Sequence, residues 1–223
     1  MDAFVITVQE MLETVSSTPQ KNHPKTGDIR KIAADLFKSL DDQSKAHVFM
    51  LCETLLMHND WAMGVIAYDF AYRMRKYYEI DDFNRFESWL NQYVSGWGDC
   101  DDFCTHAFGS LLNQYPILFD KVCLWTTHDA FWVRRAAAVI MIPMIRKGHV
   151  NFIQPFKISD ALMHDTEPLV LKGYGWMLKV LSTKHEDAVF EYLVKHQDTM
   201  PRVSYRYAME KMSPERKARL IAL

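Results

Sequence analysis

Apolar residues recur every three or four positions along almost all of this 223-residue chain, and the breaks between such stretches are short. That spacing marks one face of a helix, whereas the period-two alternation of a strand is absent. A first helix fits residues 3–16, with Phe4, Val8, Met11, Leu12 and Val15 on one side. Further helices fit roughly 28–39, 43–57, 60–78, 82–95, 99–114, 116–126, 129–147, 151–163, 167–183, 185–197, 201–212 and 214–222. Residues 17–28 form the longest polar segment and read as a loop. Asp28, Asp42, Asp60, Asp81, Asp129, Ser159, Ser182 and Ser213 stand near helix starts as caps. Pro143, inside an expected helix, removes one backbone donor and predicts a kink. Only 8 Gly and 8 Pro, against 13 Met, fit long packed helices better than a turn-rich β fold.

Such helices need not repeat, yet these do. The segment DAFWVRRAAAVIMIPMIRKG (129–148) lies over EPLVLKGYGWMLKVLSTKH (167–185), which brings Arg135 onto Lys172, 37 residues later. DWAMGVIAYDFAYRMRK (60–76) shares the outline of acidic start, apolar body and basic end. The period is that of a HEAT-type helix pair. The expected fold is therefore all-α, an α-solenoid or α-α superhelix of HEAT-like pairs, in one domain over 1–223. Its concave face, lined by every second helix, is where function is expected.

Several classes fall away. The N-terminus MDAFVITVQEMLETV has no basic n-region, so it does not read as a secretory signal. No apolar run approaches ~18 residues, so no membrane span is expected. The cysteines, Cys52, Cys100, Cys104 and Cys123, suggest reduced thiols in a cytoplasmic protein. Cys100 and Cys104 stand at i, i+4 with His106 nearby, but the second ligand pair of a zinc site is missing, so no metal is expected. The net charge of −2 hides an asymmetry. Residues 1–120 carry 10 Lys/Arg and 18 Asp/Glu, whereas residues 121–223 carry 16 and 10. The C-terminal half therefore has the excess cations to present to a polyanion, the alternative being ordinary solvated helix faces.

Four places carry candidate chemistry. In Trp97-Gly98-Asp99-Cys100-Asp101-Asp102-Phe103 a glycine break meets a helix start, with three carboxylates suited to the positive end of the helix dipole. Asp99 reads there as an N-cap. In Trp132-Val133-Arg134-Arg135 the arginines point about 100° apart, so at least one must meet the concave face or a buried acid. Lys172-Gly173-Tyr174-Gly175-Trp176 sets two glycines inside a helix, for close packing or for room beside Trp176. MPRVSYRYAMEK (200–211) puts Pro201 at a helix start, with basic and hydroxyl groups of the kind that bind phosphates.

In these motifs the chain resembles the AlkD-like DNA alkylation repair proteins, HEAT-like solenoid DNA glycosylases, from about residue 28 to about residue 212. MPRVSYRYAMEK is similar to the family's MPRTxLRYAxEK. The other shared motifs are W-x3-D at Trp97 and Asp101, W-x-x-R at Trp132 and Arg135, and K-x2-G-W at Lys172 to Trp176. The resemblance implies that Asp101 is the catalytic carboxylate and that Trp97 and Trp176 contact the damaged nucleotide. It implies that Arg135 lies at the same cleft and that Lys179 faces DNA. Arg134, Lys172, Arg202, Ser204 and Arg206 are the further DNA-binding candidates.

An N3- or N7-alkylated purine is already cationic, so its glycosidic bond breaks without a general acid. One carboxylate then suffices to stabilise an oxocarbenium-like sugar and place a water. The implied partners are double-stranded DNA and its alkylated purine lesions, with no cofactor, for a cytoplasmic monomer that joins the nucleoid when bound to DNA. Two departures stand out. SSTPQKNHPKTGDIR has no aromatic where the family shows YMKxxFxFxGI. WGDCDD replaces WDxVD, so Asp99 and Asp102 compete with Asp101. A non-catalytic protein binding branched or unusual DNA, and a protein-interaction scaffold, are the alternatives. An open cleft shared by Asp101, Trp97 and Trp176 favours the enzyme, and an Asp101 held in a salt bridge in the core favours the others.

Overall fold

A computed structural model describes residues 2–16 and 24–223, and no strand occurs among them. The chain divides into two compact units, Met1–Val94 and Ser95–Leu223. Most of the expected polar loop, residues 17–23, lies outside the described residues, and its far end is already helical from Thr26.

The first unit consists of α1 (Asp2–Ser16), α2 (Thr26–Lys38), α3 (Lys45–Leu56), α4 (Trp61–Arg73) and α5 (Asp82–Gln92), with a 3-10 turn at Met74–Tyr77 extending α4. The Asp60 carboxylate caps α4 by accepting from the Met63 N–H at 2.9 Å, as expected. Ser44, not Asp42, caps α3, and its hydroxyl accepts from the His47 N–H at 3.3 Å. Each cap satisfies a donor that a helix end leaves without a partner. The core is aromatic. Phe49 lies 5.7 Å from Phe86, which lies 5.1 Å from Trp89. Tyr78 meets Phe86 edge-on at 5.3 Å, and its hydroxyl donates to the Ala71 carbonyl at 2.7 Å.

The second unit runs through α6 (Trp97–Phe103), α7 (Gly109–Gln114), α8 (Phe119–Leu124), α9 (Phe131–Val139), α10 (Ile142–Arg146), α11 (Pro155–Leu162), α12 (Pro168–Ser182), α13 (Glu186–Lys195), α14 (Arg202–Met209) and α15 (Pro214–Ala222). Three features follow from particular residues. A π turn, Cys104–Phe108, joins α6 to α7 in one continuous helix. Gly109 closes that turn, because a Cβ there would stand 2.4 Å from the Cys104 carbonyl oxygen and 2.9 Å from Pro143 Cγ. Pro143 interrupts its helix as expected: α9 stops at Val139 and α10 begins at Ile142, with Ile140 and Met141 between them still in helical backbone conformation. Ser159 and Ser182 lie inside helices rather than at their starts, their hydroxyls bonded back to the Pro155 and Lys179 carbonyls.

α6, α9, α12 and α14 are successive neighbours in a row. Cys100 Sγ meets the Trp132 carbonyl at 3.2 Å, and one residue later Asp101 meets Arg135. Ser204 donates to the Leu171 carbonyl at 2.8 Å, and further along the same pair of helices Lys179 pairs with Glu210. Rising numbers meet rising numbers, so α6 runs parallel to α9 and α12 parallel to α14, and α10, α11 and α13 also pack against α12. That is the repeating helical architecture the sequence period predicts. Close approach within the row depends on α12 glycines. A Cβ on Gly175 would fall 2.8 Å from Tyr207 Cβ and 3.0 Å from the Ser204 Cα, and one on Gly173 would fall 3.1 Å from Arg135 Cγ.

Arg134 clamps two loops. Its Nε donates to Asp165 Oδ2 at 2.6 Å, and one Nη donates to the His128 and Asp129 carbonyls, each at 2.8 Å. Burial works against the Asp165 charge, but the hydrogen bonds and charge of Arg134 outweigh it and hold the carboxyl below its ordinary 3.8.

Two predictions arise from these contacts. Gly64 sits mid-helix with only Tyr68 Cε2 at 3.8 Å from a new Cβ. Gly64→Ala should therefore stabilise by ~0.5–1 kcal/mol, while Gly175→Ala should destabilise by ~1–3 kcal/mol through overpacking. Opposite shifts in melting temperature are the expected result. For Asp165, stabilisation is complete above the ordinary pKa and is lost as pH falls through the lowered one. Asp165→Asn should lower the melting temperature at pH 7, and the gap from the parent protein should close in melts run progressively below pH 3.8.

Candidate functional site

α6 opens on Gly96, which is fully extended (φ −159°, ψ −179°), so Trp97 is its first residue. Asp99 is thus inside the first turn, not at the cap position expected of it. Its carboxylate reaches back to hydrogen-bond Ser95, and burial nevertheless pushes its pKa up. Asp101 lies one turn beyond Trp97. Asp102 is close to His106, whose Nδ1 is 2.9 Å from the Asp102 carbonyl.

Arg135 dominates the site. It is 5% exposed, and its guanidinium forks onto Asp101, Nε to Oδ1 and Nη2 to Oδ2, both at 2.8 Å. Its remaining Nη donates to the Leu169 carbonyl at the start of α12. Burial disfavours the charged guanidinium, and the hydrogen bonds and charge of Asp101 overcome it, so the net shift of Arg135 is upward. The Asp101 side chain retains 18% exposure. The pair is therefore a largely buried salt bridge with one partly exposed carboxylate edge, close to the arrangement expected of the non-catalytic alternatives.

A cleft of about 210 Å³ opens beside this pair, lined by Trp97, Arg135, Leu169, Lys172, Trp176 and Tyr207. Trp97 is 55% exposed, a large aromatic surface left to solvent. Lys172 and Trp176 are half-buried one turn apart on α12, and Lys172 makes no ion pair among the described residues. Two indoles, a fixed carboxylate–guanidinium pair and an unneutralised ammonium thus occupy one neighbourhood. A larger groove of about 540 Å³ in the same unit is mostly apolar, lined by residues such as Ile153, Phe156 and Leu181 with Lys157, Asp160 and His185, and contains no tryptophan.

The structure thus brings Trp97, Arg135, Lys172 and Trp176 to one cleft, with Asp101 bonded to Arg135 but not itself in the lining. The other candidates are elsewhere. Arg134 is committed to Asp165 and two carbonyls, and Lys179 to Glu210. Ser204 is fully buried with its hydroxyl on the Leu171 carbonyl, so it has no surface to offer a phosphate. Arg202 and Arg206 are exposed on α14 but do not line the cleft, and Arg202 lies over the Tyr205 ring at 5.5 Å. Cys100 and Cys104 are buried thiols, Cys104 pushed well up by burial, and no group of three metal-binding side chains occurs among the described residues. Motif reading misses two members, the Leu169 carbonyl and Tyr207. The second was within reach, because Tyr207 falls in MPRVSYRYAMEK where the family's MPRTxLRYAxEK also has Tyr.

A sequence profile of the family described as DNA alkylation repair enzyme matches residues 24–212. The chain belongs to that family. Membership gives it a role in DNA repair, with DNA as its partner. No curated protein matches the chain by sequence. Among solved structures it is similar to a predicted DNA alkylation repair enzyme from Enterococcus faecalis, at 17% identity over 85% of this chain and 87% of that one, with a TM-score of 0.71. AlkD2 from Streptococcus mutans aligns at 16% identity over 93% and 98%, with a TM-score of 0.66. The smu.31 protein from Streptococcus mutans UA159 aligns at 16% over 94% and 100%, with a TM-score of 0.65. At these identities the likeness establishes the family's helical fold.

The paired geometry changes what substitution at Asp101 does to stability. Asp101→Ala would strand a buried guanidinium and should cost ~3–5 kcal/mol. Asp101→Asn keeps one acceptor and should cost less, ~1–3 kcal/mol. Urea unfolding checks both, and an unchanged midpoint in Asp101→Ala would show that the pair carries no stability.

Proposed function

We propose that this family member is a DNA glycosylase that excises cationic N3- or N7-alkylated purines from duplex DNA. The observation that carries this reading is the cleft shared by Trp97, Trp176 and Arg135, with Asp101 fixed to the arginine beside it. Electron-rich indole faces attract a cationic base by ~0.5–2 kcal/mol. As the C1′–N bond breaks, its electron pair neutralises the departing base and positive charge moves to the sugar. A carboxylate has about four acceptor positions, and the fork from Arg135 uses one on each oxygen. What remains can hold a water for attack at C1′, giving the free base, an abasic sugar and a proton released to solvent. The guanidinium offsets part of the Asp101 charge. In return, it holds the carboxylate in position before the substrate arrives, so no reorganisation is needed in the transition state.

One observation favours a second reading, a non-catalytic protein that binds branched or unusual DNA. Both Asp101 oxygens already accept from Arg135.

Release of free base from duplexes carrying N3-methyladenine or N7-methylguanine decides between them. The experiment belongs at a temperature where every variant is folded. Asp101→Asn should retain DNA binding and slow release by ~10²–10³-fold. Asp99→Asn should stay close to the parent rate, because an amide oxygen still accepts from Ser95. Equal losses in the two variants would mean that the carboxylate is misassigned. Parent protein that binds duplex and releases nothing would establish the non-catalytic reading.

A further inference from the structure

Tyr207, which stands in MPRVSYRYAMEK without having been named as a candidate, lines the cleft with Trp97, Lys172 and Trp176. Its position is tightly determined. Its Cβ sits where a side chain on Gly175 would collide, at 2.8 Å, and the adjoining Ser204 hydroxyl is tied to the Leu171 carbonyl. The rotation of α14 against α12 is therefore fixed, and with it the start of the Tyr207 side chain. The residue is 36% exposed, and its hydroxyl makes no hydrogen bond among the described residues.

Of the two cations in the lining, Arg135 is engaged, while Arg202 and Arg206 stand exposed outside it. Arg135 is bonded to Asp101 and Leu169, and Lys179 is neutralised by Glu210. Beside the two indole N–H groups, the ammonium of Lys172 and the phenol of Tyr207 are the donors in the lining that no hydrogen bond or ion pair engages among the described residues. An ammonium can only donate, and a phenol donates readily beside an anion. A base edge presents donors and acceptors together, whereas a phosphodiester presents only acceptors and a negative charge. Contacts to phosphate set register without reading sequence.

We infer that Lys172 and Tyr207 together clamp one backbone phosphate beside the lesion. They are positioning residues that fix the sugar against Asp101 while the two indoles meet the base. The clamp rests on the proposed reading of this cleft as a DNA lesion site, but its test reads binding and not base release.

The test uses lesion duplexes in which each phosphate near the lesion is replaced, one at a time, by an uncharged methylphosphonate. Affinities are measured at fixed salt for the parent protein, Tyr207→Phe, Lys172→Gln and the double variant. At one phosphate the replacement should weaken the parent by about tenfold. Tyr207→Phe should weaken binding to the natural backbone several-fold, yet add little once that phosphate is neutral. Lys172→Gln should behave likewise at the same phosphate. An unchanged melting temperature in Tyr207→Phe, which removes one exposed hydroxyl, separates this from misfolding. Losses that multiply at every phosphate, or Tyr207→Phe binding like the parent, would overturn the clamp. If the parent shows the coupling but releases no base, the glycosylase reading fails and the clamp stands. If base is released while losses multiply, the clamp alone fails. A parent protein with no affinity for duplex overturns both.

Discussion

Arg135 carries a full charge at a position almost closed to solvent, and an isolated charge there would cost far more than a fold can spare. Its surroundings are arranged around that fact. Asp101 on α6 supplies the countercharge, Leu169 at the head of α12 supplies a carbonyl, and Gly173 leaves room for the stem. One side chain on α9 thereby ties three helices of the row together through directional bonds. The same bonds fix the carboxylate that the proposed chemistry needs. Stability and function are coupled at this point, because the residue that positions Asp101 also moderates its charge.

The cleft itself is a by-product of close packing. Gly175 lets α14 come nearly into backbone contact with α12, which carries Tyr207 to the edge of a space already bordered by Trp176. Larger residues at either glycine would push the helices apart and change the width of the cleft. Below this layer Arg134 does a purely structural task, stapling the approach to α9 onto the approach to α12 through Asp165. Adjacent arginines thus divide the work, one joining loops and the other bordering the cleft.

Most helix positions were legible because burial imposes a 3.6-residue period that survives any detail of packing. Thus α15 runs over the expected 214–222, and α12 over 168–182 against an expected 167–183. The gathering of Trp97, Arg135 and Trp176 was legible only through the family resemblance, while the 37-residue overlay placed Arg135 and Lys172 at equivalent points of successive repeats. What the sequence concealed were choices of partner. That one of two adjacent arginines needs an acid is plain from their divergence, but which acid it meets depends on helices tens of residues away. Ser204 looked like a phosphate ligand because hydroxyls often are, and only the glycine contact opposite explains its burial. Asp99 was misread because α6 starts two residues earlier than its acidic run suggests.

The π turn after α6 holds one residue more than an ordinary helical turn, closed by a glycine that no larger residue can replace without displacing Cys104 or Pro143. That extra residue advances everything beyond it by about 100°. The buried face of α7 and the Trp97–Asp101 edge of α6 are consequently set by two different helical phases within 97–114. A relative with an unbroken helix at this place has to differ by a one-residue gap. An ungapped alignment carried through it would hand the roles of Trp97 and Asp101 to side chains that point away from Arg135.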